Sequence, residues 1–439
     1  MKSRVLGYLL IVSFTGFLFG FDSVVISGVN LPLRHLWKTS EWFHGTFIIS
    51  VSLWGTLLGS LLGGYPTEAL GRKRTLIIVG LMFTISGVGT ALATTPAVFS
   101  FFRFLGGLAA GVGSIAAPTY IAEMASAKDR GKLAMLFQFN LVLGILTAFL
   151  SNYLFADAGG ENSWRLMLGV MVFPAALYSM LLFRIYESPR WLIQKKQDLD
   201  KAFQILKETN SADEAIKLID VLRRSPVEPQ DRVVLFSKRN TRILTLSFLI
   251  SFFNQFSGIS FILFYAPEIL EKGGFVTAQS LLGTVSIGLV NVVFTIAGIF
   301  LIDKVGRKPL MYVGSVGYIV SLSMIAFSFY SSSSTIFTLI FILLFIIAHA
   351  IGQGAVIWVF IAEIFPTRIR AFGQAWGAGL LNGFAALITL FGSVLINSFH
   401  PWKVFALFAS LMILQLLFVH FLMPETKGAS LEDLEKRLA

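Results

Sequence analysis

Two strongly charged side chains stand inside long apolar stretches of this sequence. Asp22 lies within an apolar run at about 6–29, and Arg103 lies within one at about 97–121. If each run is a helix across a hydrocarbon core of about 30 Å, the two charges lie at comparable depth, Asp22 about 24 Å from one face and Arg103 about 9 Å from the other. Opposite charges at one depth can pair, which lowers the cost of burying each. Such an aspartate can load and release a proton as the arginine approaches and withdraws, or the pair can tie two helices together.

Neutral amide side chains form a second group of candidates inside the apolar runs. Each amide offers a donor and an acceptor together, which suits a ligand rich in hydroxyl groups, although amides also bond one membrane helix to another. Aromatic rings nearby can cover the C–H surface of such a ligand or simply pack in the core. The candidates are Gln138, Asn254, Gln255, Asn291 and Asn382, with Phe19 and Trp358 as apolar faces.

Other chemistries find little support in the residues. The chain has no cysteine and five histidines, none of them paired at metal-ligand spacing, so we expect no metal site and no disulfide. The glycine-rich stretch at 106–113 lacks a following Lys-Ser or Lys-Thr and indicates close helix packing, not a nucleotide cofactor. No catalytic triad or dyad is present, so an enzyme is not expected. His349 lies in an apolar run, where it relays protons or packs between helices.

The composition predicts that these groups are positioned by membrane helices. Of 439 residues, 55% are hydrophobic and 13% are charged, with a mean hydropathy of +0.77. A soluble domain of this size needs more surface charge. Six apolar runs precede a polar segment and six follow it, at about 6–29, 45–68, 75–94, 97–121, 132–155, 164–185, 241–270, 277–302, 309–330, 335–362, 371–395 and 402–422. We interpret the first run as a span and not a cleaved signal, because Asp22 interrupts it and no small-residue cleavage site follows.

The distribution of positive charge predicts the orientation. With both termini cytoplasmic, the inner connections hold 16 Lys and Arg residues without the long central loop, against 5 in the outer connections. This bias follows the positive-inside rule. It also accounts for the net charge of +11 without a nucleic-acid partner.

Internal repeats divide the chain into two related parts. Gly71-Arg-Lys after the second run recurs as Gly306-Arg-Lys after the eighth, and Ala122-Glu near the end of the fourth recurs as Ala362-Glu near the end of the tenth. We therefore predict an all-α membrane protein with an N-terminal six-helix half (1–186), a cytoplasmic helical linker (187–240), a C-terminal six-helix half (241–423) and a cytoplasmic C-terminal helix (424–439). A parallel duplication of this kind places a substrate site between the halves, near the midplane.

These motifs, in this order, resemble the sugar porter family of the major facilitator superfamily along nearly the whole chain. The pieces that carry the resemblance are Phe19-Gly-Phe-Asp, Gly71-Arg-Lys-Arg, Arg103-Phe-Leu-Gly-Gly, Pro118-Thr-Tyr-Ile-Ala-Glu123, Glu187-Ser-Pro-Arg-Trp191, Asp303-Lys-Val-Gly-Arg307, Ala362-Glu-Ile-Phe-Pro366 and Pro424-Glu-Thr-Lys-Gly428. The resemblance implies a carrier of a small sugar, coupled to protons, and the short loops and compact linker favour a bacterial inner membrane. It also implies a monomer in the lipid bilayer, without a cofactor.

The resemblance assigns roles to particular residues. It implies that Asp22 and Arg103 couple a proton, although Met171 stands where the proton-linked bacterial xylose symporter has a glutamate. It implies that the sugar contacts Gln138, Gln255, Asn291 and Trp358, with Phe19 lining the pocket.

The pocket sequence also departs from the family pattern. In the seventh run Asn254 replaces the first of two glutamines, Ser260 replaces an asparagine and Phe264 replaces the first of two tyrosines. In the eleventh run Asn382 follows Leu381, where relatives often show an amide and then a tryptophan. The sugar is therefore left open.

Charged residues at the predicted cytoplasmic helix ends form a last group. Carboxylates and guanidinium groups there can form bidentate pairs, and in the family such networks hold the outward-facing state. We predict that Glu123 pairs with Arg130 and Glu363 with Arg370. The full predicted network is Arg72, Glu123, Arg130, Glu187, Arg190, Arg307, Glu363 and Arg370.

Three alternatives remain open at this stage. A passive sugar facilitator would use the same pocket with Asp22 as structure only. A carrier of another polar solute, such as a polyol, would fit the changes at Ser260 and Phe264. A sugar sensor is disfavoured, because sensors carry a long signalling tail and this sequence ends soon after Gly428.

Overall fold

The structure, a computed structural model, describes residues 3–125, 130–209, 212–224, 235–366, 369–428 and 434, without the side chains of 3, 130–134, 209, 222, 224 and 371. Throughout these residues the regular elements are helices, with no strand. Eleven helices are long and apolar enough to cross a membrane, and a pair bent by 42° brings the number of candidate spans to twelve. The predicted all-α fold of about twelve spans is therefore confirmed for the described residues.

We number the twelve spans in chain order. They are α1 (Ser3–Trp37), α2 (Glu41–Ile49 and Val51–Leu62), α3 (Arg72–Leu92), α4 (Pro96–Met124), α5 (Arg130–Phe155), α6 (Gly160–Leu182), α7 (Lys238–Lys272), α8 (Thr277–Val305), α9 (Arg307–Ser331), α10 (Thr335–Ile364), α11 (Arg370–Ser398) and α12 (Pro401–Phe421). Between α6 and α7 lie two polar helices, Leu199–Thr209 and Ala212–Arg224. Of the C-terminal helix predicted at 424–439, residues 424–428 are described and are not helical, and beyond them only Leu434 is described.

The bundle has two ends, which we name by its connections. The inner end carries the α2–α3 and α8–α9 connections, and the outer end carries the α1–α2 and α11–α12 connections. The first of the inner connections turns at Gly71 with φ 94°, and the second turns at Gly306 with φ 107°. Only glycine adopts such angles without strain, so the repeated Gly-Arg-Lys motif has a backbone reason at both places.

Small residues let α2 and α4 pack with their backbones in close contact. Gly55, Gly59, Gly107 and Gly111 all lie on this contact, and a Cβ atom added to any of them would strike the facing backbone. The glycine-rich stretch predicted to serve helix packing does so. Close approach of this type is typical of membrane helices, because lipid supplies no hydrophobic drive between them.

Gly107→Ala tests this contact. Its Cβ would overlap the carbonyl oxygen of Ser52, so α4 must move away from α2. We expect a loss of about 1–3 kcal/mol in the free energy of unfolding, measured by thermal or denaturant unfolding in detergent. The matched control is Gly7→Ala, because Gly7 has nothing within 4 Å of the new Cβ. An equal effect of both changes would contradict the packing argument.

Candidate functional site

Asp22 on α1 and Arg103 on α4 form a buried ion pair. The two residues are 2% and 1% exposed, and Arg103 Nη1 donates to Asp22 Oδ1 at 2.7 Å. Arg103 Nη2 donates to the backbone oxygen of Asp22 at 2.9 Å, and the Ser52 hydroxyl donates to Asp22 Oδ2 at 2.9 Å. Three helices, α1, α2 and α4, therefore meet at one carboxylate. The structure brings together the two charges that the sequence placed at one depth.

The surroundings of this pair are tightly shaped. A Cβ atom at Gly106 would lie 3.0 Å from Asp22 Oδ1 and 2.5 Å from the Ser86 hydroxyl, so glycine makes room for the carboxylate. Among the described residues, Arg103 Nε has no hydrogen-bond partner. The guanidinium is therefore anchored through its two Nη atoms alone. Because both anchors join α1 to α4, a change in the position of one helix relative to the other would break both at once.

Helix α7 breaks in the middle, and three of the predicted polar residues gather at the break. Gly258 takes φ 89°, which ends one helical segment and starts the next. Gln255 Nε2 donates to Asn254 Oδ1 at 2.8 Å, and the Ser260 hydroxyl donates to Gln255 Oε1 at 2.6 Å. Discontinuous helices near mid-depth commonly form the binding sites of transporters. The neighbouring Phe264 is buried, at 4% exposure.

The other predicted pocket residues lie on five further helices. Asn291 on α8 is buried beside Thr295, at 3.4 Å. Asn382 on α11 donates to the Ser60 hydroxyl of α2 at 3.2 Å, which joins the first six spans to the last six. The remaining three are Trp358 on α10, which is 47% exposed, and the half-buried Phe19 on α1 and Gln138 on α5.

At the inner end of the first six spans, Arg72 binds two carboxylates. Its Nη2 lies 2.6 Å from Glu68 Oε1 and 3.0 Å from Glu123 Oε1. The Ser188 hydroxyl donates to the other oxygen of Glu123 at 2.5 Å. The expected partner of Glu123, Arg130, has its side chain outside the described residues, so that pair stays a prediction, and the partner that the structure shows is Arg72.

The last six spans repeat this arrangement. Arg307 forms a bidentate pair with Glu363, at 2.8 Å from Nη2 to Oε1 and 3.1 Å from Nε to Oε2. The Thr426 hydroxyl donates to Glu363 Oε2 at 2.6 Å. The predicted partner Arg370 donates to the backbone oxygen of Phe365 instead, at 3.3 Å. Each carboxylate thus binds the arginine of the Gly-Arg-Lys motif that precedes it in the chain, because that arginine starts a helix beside it.

Two further glutamates bind the helix starts next to these pairs. Glu187 accepts from the backbone N–H of Lys73 at 3.0 Å, and Glu425 accepts from that of Lys308 at 2.9 Å. A carboxylate there satisfies N–H groups that have no partner inside the helix. Glu187 therefore caps a helix and is not paired with Arg190, whose side chain is exposed.

The Glu425 carboxyl is held in its ionised form. Partial burial acts to raise its pKa, but backbone N–H donors outweigh burial, and the pKa is lowered from its ordinary value. The donors are the backbone N–H groups of Lys427, Arg307, Lys308 and Thr426.

Sequence reasoning missed Glu425, Thr426 and Ser188 as site residues. The repeat could have revealed them, since Glu425-Thr426 follows Glu187-Ser188 by 238 residues, close to the spacing of the other motifs.

Glu363→Gln tests the bidentate pair. A neutral amide can donate at only one atom and accept at the other, so one of the two bonds from Arg307 is lost and the charge attraction with it. We expect the free energy of unfolding to fall by about 1–3 kcal/mol, measured in detergent. The control is Asp303→Asn, since Asp303 is 3.6 Å from Arg307 with a side chain 71% exposed and should contribute less than about 0.5 kcal/mol. A larger effect at Asp303 would reverse this ranking.

His349 is part of a polar chain within the last six spans. Its Nδ1 lies 2.6 Å from the Tyr318 hydroxyl, which donates to Gln353 Oε1 at 3.4 Å. Gln353 in turn donates to Gln415 Oε1 at 2.7 Å. The chain links α9, α10 and α12 to one another, which agrees with the interpretation of His349 as a helix-packing residue.

Comparison with known proteins agrees with this geometry. Residues 8–438 match the family described as "Sugar (and other) transporter". The chain is 33% identical to the glucose transporter GlcP of Staphylococcus epidermidis, covering 100% of this chain and 98% of the relative. It is 31% identical to the D-xylose-proton symporter of Escherichia coli, covering 99% and 96%.

Solved structures of the same E. coli protein are similar in fold. An inward-open structure of the xylose transporter XylE superimposes with a TM-score of 0.88 at 30% identity, covering 99% of this chain and 100% of XylE. Another XylE structure is described as a major facilitator superfamily proton:xylose symporter. The predicted major facilitator fold is therefore confirmed, as is the expectation of a transporter and not an enzyme. The chain belongs to the sugar transporter family of the major facilitator superfamily.

Proposed function

We propose that this protein is a secondary active transporter that moves a monosaccharide together with a proton by alternating access. The observation that carries the proposal is the buried Asp22–Arg103 pair, in which a carboxylate is bound by a guanidinium at 2.7 Å. A proton on Asp22 replaces Arg103 as the neutralising partner, so protonation and helix movement are linked. The relatives named as a glucose transporter and a D-xylose-proton symporter support the same assignment.

The sugar is proposed to bind near mid-depth, between the two sets of six spans. Gln255, Asn254 and Ser260 at the break of α7 offer hydroxyl-binding groups, and Trp358 offers an aromatic face. The other proposed contacts are Phe19, Gln138, Phe264, Asn291 and Asn382. In the described conformation, the polar groups at the α7 break bond one another, so a sugar hydroxyl would take the place of one of these internal bonds.

The clusters around Arg72 and Arg307 are proposed to form the inner gate. In this conformation each cluster lies within its own set of six spans. Alternating access requires the inner ends to meet in another conformation, where Glu187, Arg190 and Glu425, the repeat counterpart of Glu187, can bridge the two clusters.

We further propose a monomer in a bacterial inner membrane, with both termini and the linker at 187–240 cytoplasmic, which agrees with the Lys and Arg bias. The divisions at 186, 240 and 423 are our proposed domain boundaries.

The test is uptake into proteoliposomes. Labelled glucose, xylose, galactose, fructose and inositol are offered with and without an inward proton gradient. We expect one sugar to accumulate, because a proton falling through about 150 mV supplies about 3.5 kcal/mol, enough for several-hundred-fold accumulation. Uptake that only equilibrates would indicate a passive facilitator. Transport of inositol alone would favour the polyol alternative, for which the shorter Ser260 and the hydroxyl-free Phe264 are the supporting observation.

A further inference from the structure

The outer end of the bundle contains a buried polar cluster that neither the sugar site nor the proton site uses. Its members are Asn30 on α1, His44 on α2 and Glu268 on α7, which are 2%, 0% and 5% exposed. Polar side chains buried this deeply are costly unless every group finds a partner. The partners they find decide what the cluster does.

The hydrogen bonds of the cluster run in one direction. Asn30 Nδ2 donates to Glu268 Oε2 at 3.0 Å, which leaves Asn30 Oδ1 as an acceptor. That oxygen lies 2.7 Å from His44 Nε2, so this nitrogen carries the hydrogen. In the neutral imidazole the other nitrogen, Nδ1, is then an acceptor, and the Thr39 hydroxyl lies 2.8 Å from it. Hydroxyl, imidazole, amide and carboxylate therefore form a single satisfied chain.

This chain crosses from the first six spans to the last six. Asn30 is on α1, Thr39 lies just before α2 and His44 is on α2, all among the first six spans. Glu268 is on α7, the first of the last six spans. A second crossing lies beside it, because Arg34 is 3.8 Å from Glu268 and 3.1 Å from Glu41, and the Ser398 hydroxyl on α11 donates to Glu41 at 3.1 Å. Separation of the outer ends would break the crossing bonds, because each of them joins the two sets of six spans.

The polar character of the cluster suits a contact that must open repeatedly. When the outer ends separate, water reaches Asn30, His44 and Glu268 and replaces the lost bonds, so the open state is not prohibitively costly. When the ends close, the directional chain accepts only one alignment of α1 against α7. An apolar contact would lack this selectivity for a single closed arrangement.

We propose that Asn30, His44 and Glu268 form an outer latch, a set of positioning residues that holds the outer ends of the two six-span sets together. The outer latch complements the clusters at the inner end, and its strength sets how often the transporter opens outward. Weakening it shifts the population toward the outward-open state. This role goes beyond the transported sugar and the coupled proton, and it holds for a symporter or a facilitator alike.

The chain itself provides a clean reporter of outer opening. Because it has no cysteine, a single Ser393→Cys change creates a unique thiol. Ser393 on α11 is 1% exposed, and its hydroxyl has no hydrogen-bond partner among the described residues, so the thiol should be tolerated. Its Cβ lies 3.4 Å from where a Cβ on Gly45 of α2 would stand, so α2 covers it while the outer end is closed. The rate of labelling by a water-soluble maleimide in nanodiscs then reports opening.

The latch variants carry this reporter in every case. Asn30→Asp places a second carboxylate against Glu268, and we expect labelling to accelerate tenfold or more. Asn30→Asp combined with Glu268→Gln exchanges the two groups, since Gln can donate to Asp and the other Asp oxygen can accept from His44. We expect the double variant to return to within about threefold of the parent rate.

The matched control is Glu271→Gln, one helical turn along α7. Glu271 accepts from Ser280 within the last six spans and does not cross to the first six, so its rate should equal that of the parent. Labelling of Asn30→Asp at the parent rate would refute the latch. Acceleration that the exchange variant does not reverse would also overturn it, because general loosening and not a specific bond would then be the cause. The assay contains neither sugar nor a proton gradient, so its failure leaves the proposed transport function untouched.

Discussion

Replacing Asp22 by Asn is expected to abolish accumulation of sugar against a gradient while leaving exchange of internal for external sugar. Asparagine has the shape of aspartate and can still accept from Arg103 Nη1 through its oxygen, and the backbone bond to Arg103 Nη2 is untouched. The variant has no group that loads a proton at this site. We therefore expect accumulation to fall from up to several-hundred-fold to equilibration.

The measurement compares gradient-driven uptake with counterflow in the same proteoliposomes. Ser52→Ala is the control, because it removes the hydrogen bond from Ser52 to Asp22 but keeps the charge, and it should retain accumulation. Since an unpaired Arg103 costs stability when buried, thermal unfolding must show that Asp22→Asn is folded. Normal accumulation by the folded variant would remove Asp22 from the coupling mechanism and leave it as a structural tie between α1, α2 and α4.

The sequence predicted those features that depend on local pattern or on depth in the membrane. Hydropathy predicted the spans, and the comparable depth of two opposite charges predicted the Asp22–Arg103 pair. The repeat placed Arg72 and Arg307 at equivalent helix starts. In each case the membrane restricts the depth at which a charge can lie, so the sequence predicts the position of the residue along the membrane normal.

The features that sequence reasoning missed depend on lateral neighbours. Depth does not distinguish which arginine at the inner end binds Glu363. In the structure Glu363 binds Arg307, at the start of the adjacent helix, although Arg370 is nearer to it in sequence. Asn30 and Glu268 are 238 residues apart, and neither is a charged residue near the middle of a predicted span. No local pattern in the sequence therefore predicts the outer latch. Helix packing, which the sequence does not state directly, decides these partners.

Gln255→Ala should raise the apparent KM for the transported sugar by about 5–150-fold, or stop uptake. Gln255 holds the α7 break together, accepting from Ser260 and donating to Asn254, and its amide can exchange either bond for a sugar hydroxyl. Alanine removes both the donor and the acceptor that the amide offers to sugar hydroxyls, worth about 0.5–1.5 kcal/mol each, which together correspond to about 5–150-fold in affinity. Initial rates of uptake over a range of sugar concentrations give the KM.

Gln415→Ala is the matched control for Gln255→Ala, because it removes another buried glutamine of the last six spans. Gln415 bonds Gln353 and Ser315 on neighbouring helices, so its loss should lower stability while the KM stays unchanged. A rise in KM for Gln255→Ala alone therefore separates sugar binding from general loosening. An unchanged KM in the Gln255 variant would move the sugar away from the α7 break. The pocket would then have to be sought around Asn291 and Trp358.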